Sequence, residues 1–234
     1  MPASSRKYPF VGFTPEREAG KDILFVEGIS KTIDGVKVLN SVTFTANKSD
    51  KIALVGENEA GNTALMRILA GELEPDEGSY KWGVSTSQAY FPLDNSPYFD
   101  DFDGDLINWL RQYSDDDTET YLRGFLGRML FSGDEVYKPA KVLSGGEKVR
   151  CMLSRMMMTH ANVLMLDQPT NHLDLEAIIA LGEGLHQYAG SVICVSHDRE
   201  LLDAYANRII EIQNDGTIID FKGSYEEFMD TKSA

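Results

Sequence analysis

Residues 142–174 constrain the fold of this chain more than any other stretch. The first half, residues 144–147, places a serine and two glycines at the start of a predicted helix. Free backbone N–H groups and the helix dipole favour an anion at such a position. The second half contains an apolar strand, residues 163–167, which carries Asp167 at its carboxyl end. Because ligands of open α/β sheets bind beyond the carboxyl ends of the strands, we predict a ligand site at Asp167.

A second strand, loop and helix precede this stretch. Residues 51–55 are apolar enough for a buried parallel strand, and an apolar helix follows from residue 65. The loop between them consists of Gly56, Glu57, Asn58, Glu59, Ala60, Gly61, Asn62, Thr63 and Ala64. A glycine-containing loop in this context cradles phosphates, with a lysine on the β- and γ-phosphates and a hydroxyl on magnesium. The glycines and Thr63 fit that pattern, but Asn62 occupies the lysine position and Glu59 adds a negative charge.

Together, the two stretches resemble the Walker A loop, signature motif and Walker B strand of an ATP-binding-cassette (ABC) ATPase domain. The sequence Thr-Asn-His-Leu-Asp at 170–174 looks like the soluble, tandem-cassette branch called ABC-F, and the chain resembles the second cassette of such a protein. The resemblance implies an α/β P-loop NTPase fold with a mixed core sheet, an antiparallel β subdomain and an α-helical subdomain. We therefore expect an arm or linker at residues 1–20 and one nucleotide-binding domain at 21–234, with its helical subdomain at about 94–150.

The resemblance also implies roles for individual residues. The loop 56–64 would bind ATP, while Thr63 and Asp167 would hold Mg2+. Gln168 would stand at the position that activates or orients the attacking water, and His197 would contact the γ-phosphate. The signature residues would contact a nucleotide held by a partner cassette; they are Ser144, Gly145, Gly146 and Glu147.

Several departures from the family pattern weaken this chemistry. Asn62 replaces a lysine, Gln168 replaces the catalytic glutamate, and Leu93 stands where the family has a glutamine near the γ-phosphate. Exchanging a charge-assisted hydrogen bond for a neutral one costs about 1–2 kcal/mol, or roughly three- to thirtyfold in affinity. General-base catalysis contributes about 10²–10⁴-fold, and an amide cannot accept the proton, although a glutamine can orient water. We therefore expect weak ATP binding and strongly reduced hydrolysis.

Other segments permit simpler interpretations. In the arm, Tyr8, Phe10 and Phe13 are spaced to dock on a surface. Ile33 stands where the family stacks an aromatic ring on adenine, which weakens base recognition. The aspartate-rich residues 100–105 invite a calcium-site reading, but their spacing fits a solvated turn with helix-capping aspartates better.

Composition limits the possible partners and compartment. A net charge of −15 and a pI near 4.6 argue against binding to free nucleic acid, which needs clustered Lys and Arg. Cys151 and Cys194 lie in segments that read as a helix and a buried strand, which favours reduced core thiols. No apolar run approaches the roughly 20 residues of a membrane span, and no signal peptide is recognisable. We expect a soluble, cytoplasmic protein without membrane contact.

The sequence thus favours an ABC-F-type domain that binds ATP and associates with a second cassette, in tandem or as a homodimer. By resemblance, its role would concern the ribosome and translation. The alternative is a pseudo-ATPase that binds no nucleotide and serves as an interaction module. An ATP-binding subunit of a transporter comes third, because the Asn171-His172 turn argues against it.

Overall fold

The computed structural model describes residues 8–233, so residues 1–7 of the predicted arm and Ala234 lie outside the described residues. The strands are β1 (Asp22–Ile33), β2 (Val36–Asn47), β3 (Lys51–Val55), β4 (Glu77–Trp82), β5 (Gln88–Phe91), β6 (Val163–Asp167), β7 (Ser191–Val195), β8 (Arg208–Ile212) and β9 (Ile218–Lys222). The α-helices are α1 (Glu59–Leu69), α2 (Pro97–Asp100), α3 (Leu106–Arg111), α4 (Glu119–Arg128), α5 (Gly145–Met158), α6 (Leu175–Gln187), α7 (Arg199–Tyr205) and α8 (Tyr225–Ser233). Short 3-10 turns lie at Gly133–Tyr137 and Ala140–Val142.

The predicted antiparallel subdomain is a three-stranded sheet in the order β2-β1-β4. Its hairpin turns at Asp34 and Gly35, whose φ angles of 51° and 79° suit a two-residue hairpin loop. The apolar residues alone would favour much shorter strands, at 23–26 and 42–46. The strands continue through a bulge at Gly28, where φ is 62° and the pairing register shifts, so the alternation of apolar residues is interrupted.

The predicted mixed core sheet has the strand order β5-β6-β7-β3-β8-β9, in which only β9 runs antiparallel to its neighbour. Every residue of β3, β6, β7 and β8 is buried, as expected for a parallel sheet covered on both faces. Ile52 and Leu54 face one hydrophobic cluster, while Ala53 and Val55 face the other. The parallel arrangement brings the carboxyl ends of β3, β6 and β7 to one edge, where Asp167 pairs in register with Val195.

A helical region from α2 to α5 lies between β5 and β6 along the chain. Phe99 and Trp109 stack there at 4.6 Å between ring centroids, within the larger hydrophobic cluster. Asp105 accepts a hydrogen bond of 2.9 Å from the Asn108 N–H at the start of α3, so the predicted capping turn is confirmed. The Arg155 guanidinium lies 4.8 Å from the centre of the Tyr98 ring, which connects α5 to α2.

The described part of the arm packs against the domain. Val11 and Phe13 are buried, and the Phe10 N–H donates to the Arg128 carbonyl at 2.7 Å. Gly184 in α6 leaves room for this chain, because a β-carbon there would lie 2.6 Å from the Val11 carbonyl oxygen. Across residues 8–233, no helix is long and apolar enough to cross a membrane.

Candidate functional site

The loop between β3 and α1 turns sharply at Gly56, whose φ is 110°. A β-carbon at this position would lie 2.5 Å from the Ile212 carbonyl oxygen, so both the conformation and the close approach of β8 require glycine. The next glycine of the loop, Gly61, would place a β-carbon 2.7 Å from the Val38 carbonyl oxygen. The loop is therefore held between β2 and β8, at the carboxyl edge of the core sheet.

Asn58 fixes the loop and begins the helix. Its Oδ1 accepts a hydrogen bond of 2.9 Å from the Gly61 N–H, which makes it the N-cap of α1. Its Nδ2 donates to the Val38 carbonyl at 3.0 Å and to the Gln213 carbonyl at 2.8 Å. The sequence placed Asn58 in the loop without this positioning role. An asparagine followed three residues later by a loop glycine is the signal that an N-cap leaves in a sequence.

Asn62, at the lysine position, is completely buried. Its Nδ2 points towards the Gly56 carbonyl oxygen at 3.5 Å, the limit of a hydrogen bond. Its Oδ1 has no hydrogen-bond partner among the described residues. The loop 56–64 therefore contains two carboxylates, on Glu57 and Glu59, and no lysine or arginine. Phosphate binding here must rely on backbone N–H groups, the start of α1 and an added cation.

The side chain of Thr63, in α1, lies beside the side chain of Asp167, at the end of β6. Asp167 is fully buried, and this burial raises the pKa of its carboxyl to about 6. The Thr63 hydroxyl lies close enough to oppose that rise in pKa. It is nevertheless outside the geometry of a formed hydrogen bond, so neither Asp167 oxygen has a partner among residues 8–233. A buried carboxylate without a hydrogen-bond partner destabilises the fold unless a ligand or a cation binds to it.

These residues fit a magnesium ion. Carboxylate and hydroxyl oxygens are its preferred protein ligands, and magnesium is commonly bound through one or two side chains, water and substrate phosphates. Among the described residues, no group of three or more His, Cys, Asp or Glu side chains could hold a metal. Thr63 and Asp167 would therefore hold Mg2+ together with phosphate oxygens, and the bound ion would neutralise charge on the β- and γ-phosphates.

His197 lies beyond the end of β7 and faces the loop. Its Nε2 is 3.4 Å from Oε1 of Glu59, and both side chains are partly exposed. The predicted γ-phosphate residue is thus on the correct edge of the sheet, but it contacts a carboxylate of the phosphate loop. From the sequence, Glu59 is only an added negative charge in the loop, and its pairing with His197 has no local signal because the two residues are far apart along the chain.

The residue after Asp167 adopts an unusual backbone conformation. Gln168 has a φ of 50°, and its N–H donates to the Val195 carbonyl at 2.9 Å. Asn171 Nδ2 donates to Gln168 Oε1 at 3.3 Å, which orients the amide within its turn. An open cleft of about 450 Å³ lies between this turn and the segment containing His197. Gln168 and His197 both line it, so the structure brings together the two side chains predicted to serve the attacking water and γ-phosphate.

The signature residues form the predicted helix start at the surface. Ser144 is the N-cap of α5, and it exchanges hydrogen bonds with Glu147: the Glu147 N–H donates to Ser144 Oγ at 3.3 Å, and the Ser144 N–H donates to Glu147 Oε2 at 2.7 Å. A β-carbon on Gly145 would lie 2.9 Å from Cγ of His172, and one on Gly146 would lie 2.7 Å from the His172 carbonyl oxygen. The two glycines therefore allow the turn after β6 to pack against α5.

Residues at two further family positions contribute no polar group. Leu93 follows β5 with 42% of its surface exposed, and the nearby Gln88 donates instead to Thr86 Oγ1 at 2.7 Å. Ile33 packs at the end of β1 against the smaller hydrophobic cluster. Neither residue offers the side-chain chemistry that the family uses at its position, as the sequence predicted.

Comparison with known proteins identifies the family of this chain. Residues 39–171, more than half of the chain, match the family model described as "ABC transporter". The chain belongs to the ABC family. The α/β nucleotide-binding-domain fold predicted from the motifs is therefore confirmed, with its antiparallel sheet, mixed sheet and helices.

Three relatives and one solved structure illustrate the match. The chain is 60% identical over 228 residues to the uncharacterized ABC transporter ATP-binding protein YkpA of Bacillus subtilis (strain 168), covering 97% of this chain and 42% of YkpA. It is 31% identical over 223 residues to the energy-dependent translational throttle protein EttA of Escherichia coli O6:H1, covering 93% of this chain and 40% of EttA. The chain thus spans less than half the length of either relative.

The solved structure of a bacterial Atm1-family ABC exporter with ATP bound superposes with a TM-score of 0.75, over 93% of this chain and 41% of that one. The sequences are 15% identical, so this likeness concerns the fold alone. Homologues include ABC-F members such as ABC transporter F family member 5 of Arabidopsis thaliana, which is 29% identical over 96% of this chain and 32% of its own length.

Proposed function

We propose that this chain is the ATP-binding cassette of an ABC-F-type protein, with weak affinity for Mg-ATP and strongly reduced hydrolysis. The observation that carries the proposal is the Thr63–Asp167 pair. A completely buried carboxylate without a hydrogen-bond partner lies beside a hydroxyl at the start of α1, which is the arrangement a Mg-phosphate complex would complete.

Reduced hydrolysis follows from the residues around this pair. Asn62 brings no positive charge to the γ-phosphate, and the Gln168 amide cannot accept a proton. Gln168 is nevertheless held by Asn171 at the edge of the cleft, where its amide can orient a water molecule. Slow hydrolysis would therefore rest on water positioned by Gln168, beside His197 in the same cleft.

A second cassette is the proposed partner. Ser144 and Gly145 are exposed at the start of α5, with the helix dipole directed outwards, so they can meet a nucleotide held by another cassette. That cassette would be joined in tandem or supplied by a second copy. The relative EttA is named a translational throttle protein, which supports a cytoplasmic, ribosome-associated role for the protein that contains this cassette.

The structure also offers one argument for a pseudo-ATPase that serves only as an interaction module. Glu59 places its carboxylate against His197, where the γ-phosphate of a bound ATP would be expected. A transporter subunit remains the third reading, since YkpA is described as a transporter ATP-binding protein.

Thermal unfolding with and without Mg-ATP separates binding from the pseudo-ATPase reading. A ligand that binds only the native state stabilises it by about 2.7 kcal/mol at a hundredfold excess over its dissociation constant. We expect a shift that depends on magnesium, is largely lost in Asp167→Ala and is almost unchanged in Gln168→Ala. A melting temperature that does not respond to millimolar Mg-ATP would leave the interaction module as the better account.

Association with a second cassette has its own test. The chain carries a net charge of −15, so two copies repel each other unless nucleotide bridges them. Light scattering should therefore show mainly monomer without ATP. A stable dimer in the absence of ATP would contradict a nucleotide-dependent interface.

A further inference from the structure

Three buried oxygen atoms at the phosphate site lack hydrogen-bond partners among residues 8–233. They are Oδ1 of Asn62 and both carboxylate oxygens of Asp167. Both residues are completely buried, and they flank Thr63, which follows Asn62 in α1 and lies beside Asp167. Burying a polar atom without a hydrogen-bond partner lowers the stability of the fold by about 1–3 kcal/mol. Such an atom in a native fold therefore indicates that a donor or a cation binds there.

The orientation of the Asn62 amide follows from its surroundings. Nδ2 is 3.5 Å from the Gly56 carbonyl oxygen. Exchanging the two amide atoms would bring two carbonyl oxygens to that distance, which is electrostatically unfavourable. The side chain therefore directs its oxygen away from Gly56. With Nδ2 directed at Gly56, the Asn62 side chain leaves only Oδ1 for a ligand, and this oxygen can be satisfied by a donor or a positive ion but not by a phosphate oxygen.

The negative charge around the loop also indicates that a cation is needed when ATP binds. Glu57 and Glu59 lie within the loop, Asp167 lies behind it, and residues 56–64 include no cationic side chain. ATP brings several further negative charges. One magnesium ion on Thr63 and Asp167 neutralises only part of this total. Relative to the family pattern, the loop lacks a single positive charge, the one that the lysine would have supplied at position 62.

We propose that a monovalent cation such as K+ binds at Asn62 Oδ1 when Mg-ATP occupies the loop and takes the place of the absent lysine ammonium. This inference rests on the proposed nucleotide binding. A monovalent ion restores the one missing charge, and K+ accepts neutral amide oxygens as ligands. A second Mg2+ fits less well, because it dehydrates reluctantly and requires nearly ideal octahedral geometry, for which Asn62 supplies one oxygen.

The test measures the dissociation constant of Mg-ATP in potassium chloride and in choline chloride, at equal ionic strength and fixed magnesium. Choline is too large to enter a site built for a bare ion. Losing the equivalent of a lysine contact weakens binding by roughly three- to thirtyfold, so the native chain should lose affinity by this factor in choline. Thermal shifts upon ATP addition, compared within each salt, give an independent readout that does not require hydrolysis.

Variants at position 62 identify the site. Asn62→Lys carries its own cation and should bind Mg-ATP equally well in both salts. Asn62→Leu lacks the oxygen, so it should bind weakly in both. Gln187→Lys adds the same charge at an exposed position at the end of α6, and it should keep the native salt dependence.

The outcomes are distinguishable. Equal Mg-ATP affinity of the native chain in potassium and choline would overturn the cation inference while leaving nucleotide binding intact. Persistent potassium dependence in Asn62→Lys would also overturn it, since the ion would then act elsewhere. Absence of Mg-ATP binding to the native chain in every salt would overturn both the proposed function and this inference.

Discussion

Nε2 of His197 lies 3.4 Å from Oε1 of Glu59, across the phosphate loop from the end of β7. Both side chains are partly exposed, so their attraction is screened and contributes about 0.2–1 kcal/mol at most. The effect of this contact on ATP binding is larger than its small contribution to stability suggests. The Glu59 carboxylate lies against the imidazole that would otherwise donate to a phosphate, and it adds a negative charge to the same place.

Glu59→Gln should therefore strengthen Mg-ATP binding. Removing the charge frees His197 and lowers repulsion of the phosphates, which together correspond to about two- to fivefold in affinity. Calorimetric titration measures the change. Glu57→Gln is the matched control, because it removes the same charge from the same loop, whereas the ion pair of His197 is with Glu59. An equal gain in both variants would mean that only the net charge matters.

Asp167→Asn should stabilise the nucleotide-free domain near neutral pH. Burial raises the pKa of this carboxyl from its ordinary value of 3.8 to about 6. The ionised form is therefore disfavoured in the folded state by about 3 kcal/mol. The variant should recover part of this free energy, because a buried amide without partners still carries a smaller cost. Denaturant unfolding in the absence of magnesium measures the gain.

The pH dependence provides the control for Asp167. Below pH 3.8 the carboxyl is protonated in both states, so its cost is absent. As pH rises from about 4 to 6, the unfolded chain loses its proton before the native one, and native stability falls. The stability advantage of Asp167→Asn should therefore grow across this range and level off above it. An advantage that is already complete at pH 4 would contradict a buried-charge origin.

The core strands were predictable because their residues are apolar without interruption. β3 and β6 coincide with the predicted segments 51–55 and 163–167, and a parallel sheet then fixes which strand ends lie together. Helices α6 and α7 were not predicted. Gly182 and Gly184 interrupt the helical signal of α6, and both are buried where the helix meets α7 or the arm.

The identity of the candidate site was also predictable, but its internal contacts were not. The family resemblance implied that Thr63, Asp167 and His197 serve one site, and the strand ends place them at one edge of the sheet. The pairing of Glu59 with His197 and the left-handed backbone at Gln168 depend on contacts between residues distant in sequence. Local sequence patterns carry no information about such contacts, because tertiary packing determines which loop side chains meet.

Gly145→Ala should destabilise the signature region, whereas Gly124→Ala should not. A β-carbon at Gly145 would meet the base of the His172 ring at 2.9 Å, so either the ring or α5 must move. Overpacking of this kind typically costs about 1–3 kcal/mol. Gly124 is exposed in α4 and has open space around it, so alanine there should stabilise by about 0.5–1 kcal/mol.

His172→Ala should relieve the Gly145→Ala defect if the ring is its cause. Denaturant unfolding of the two single variants and the double variant forms a mutant cycle. We expect the double variant to be more stable than the sum of the single effects predicts. Strict additivity would show that position 145 requires glycine for a reason other than the contact with His172.

Hydrolysis should recover only when charge and general base are restored together. In choline chloride, where no small monovalent cation accompanies Asn62, Gln168→Glu alone should gain little, because the γ-phosphate remains uncompensated. Asn62→Lys alone should improve binding but still lack a proton acceptor. Because both groups act on one transition state, the double variant should exceed the product of the two single gains in steady-state phosphate release. Gains that merely multiply would show that positions 62 and 168 act independently, and so would argue against a shared active site.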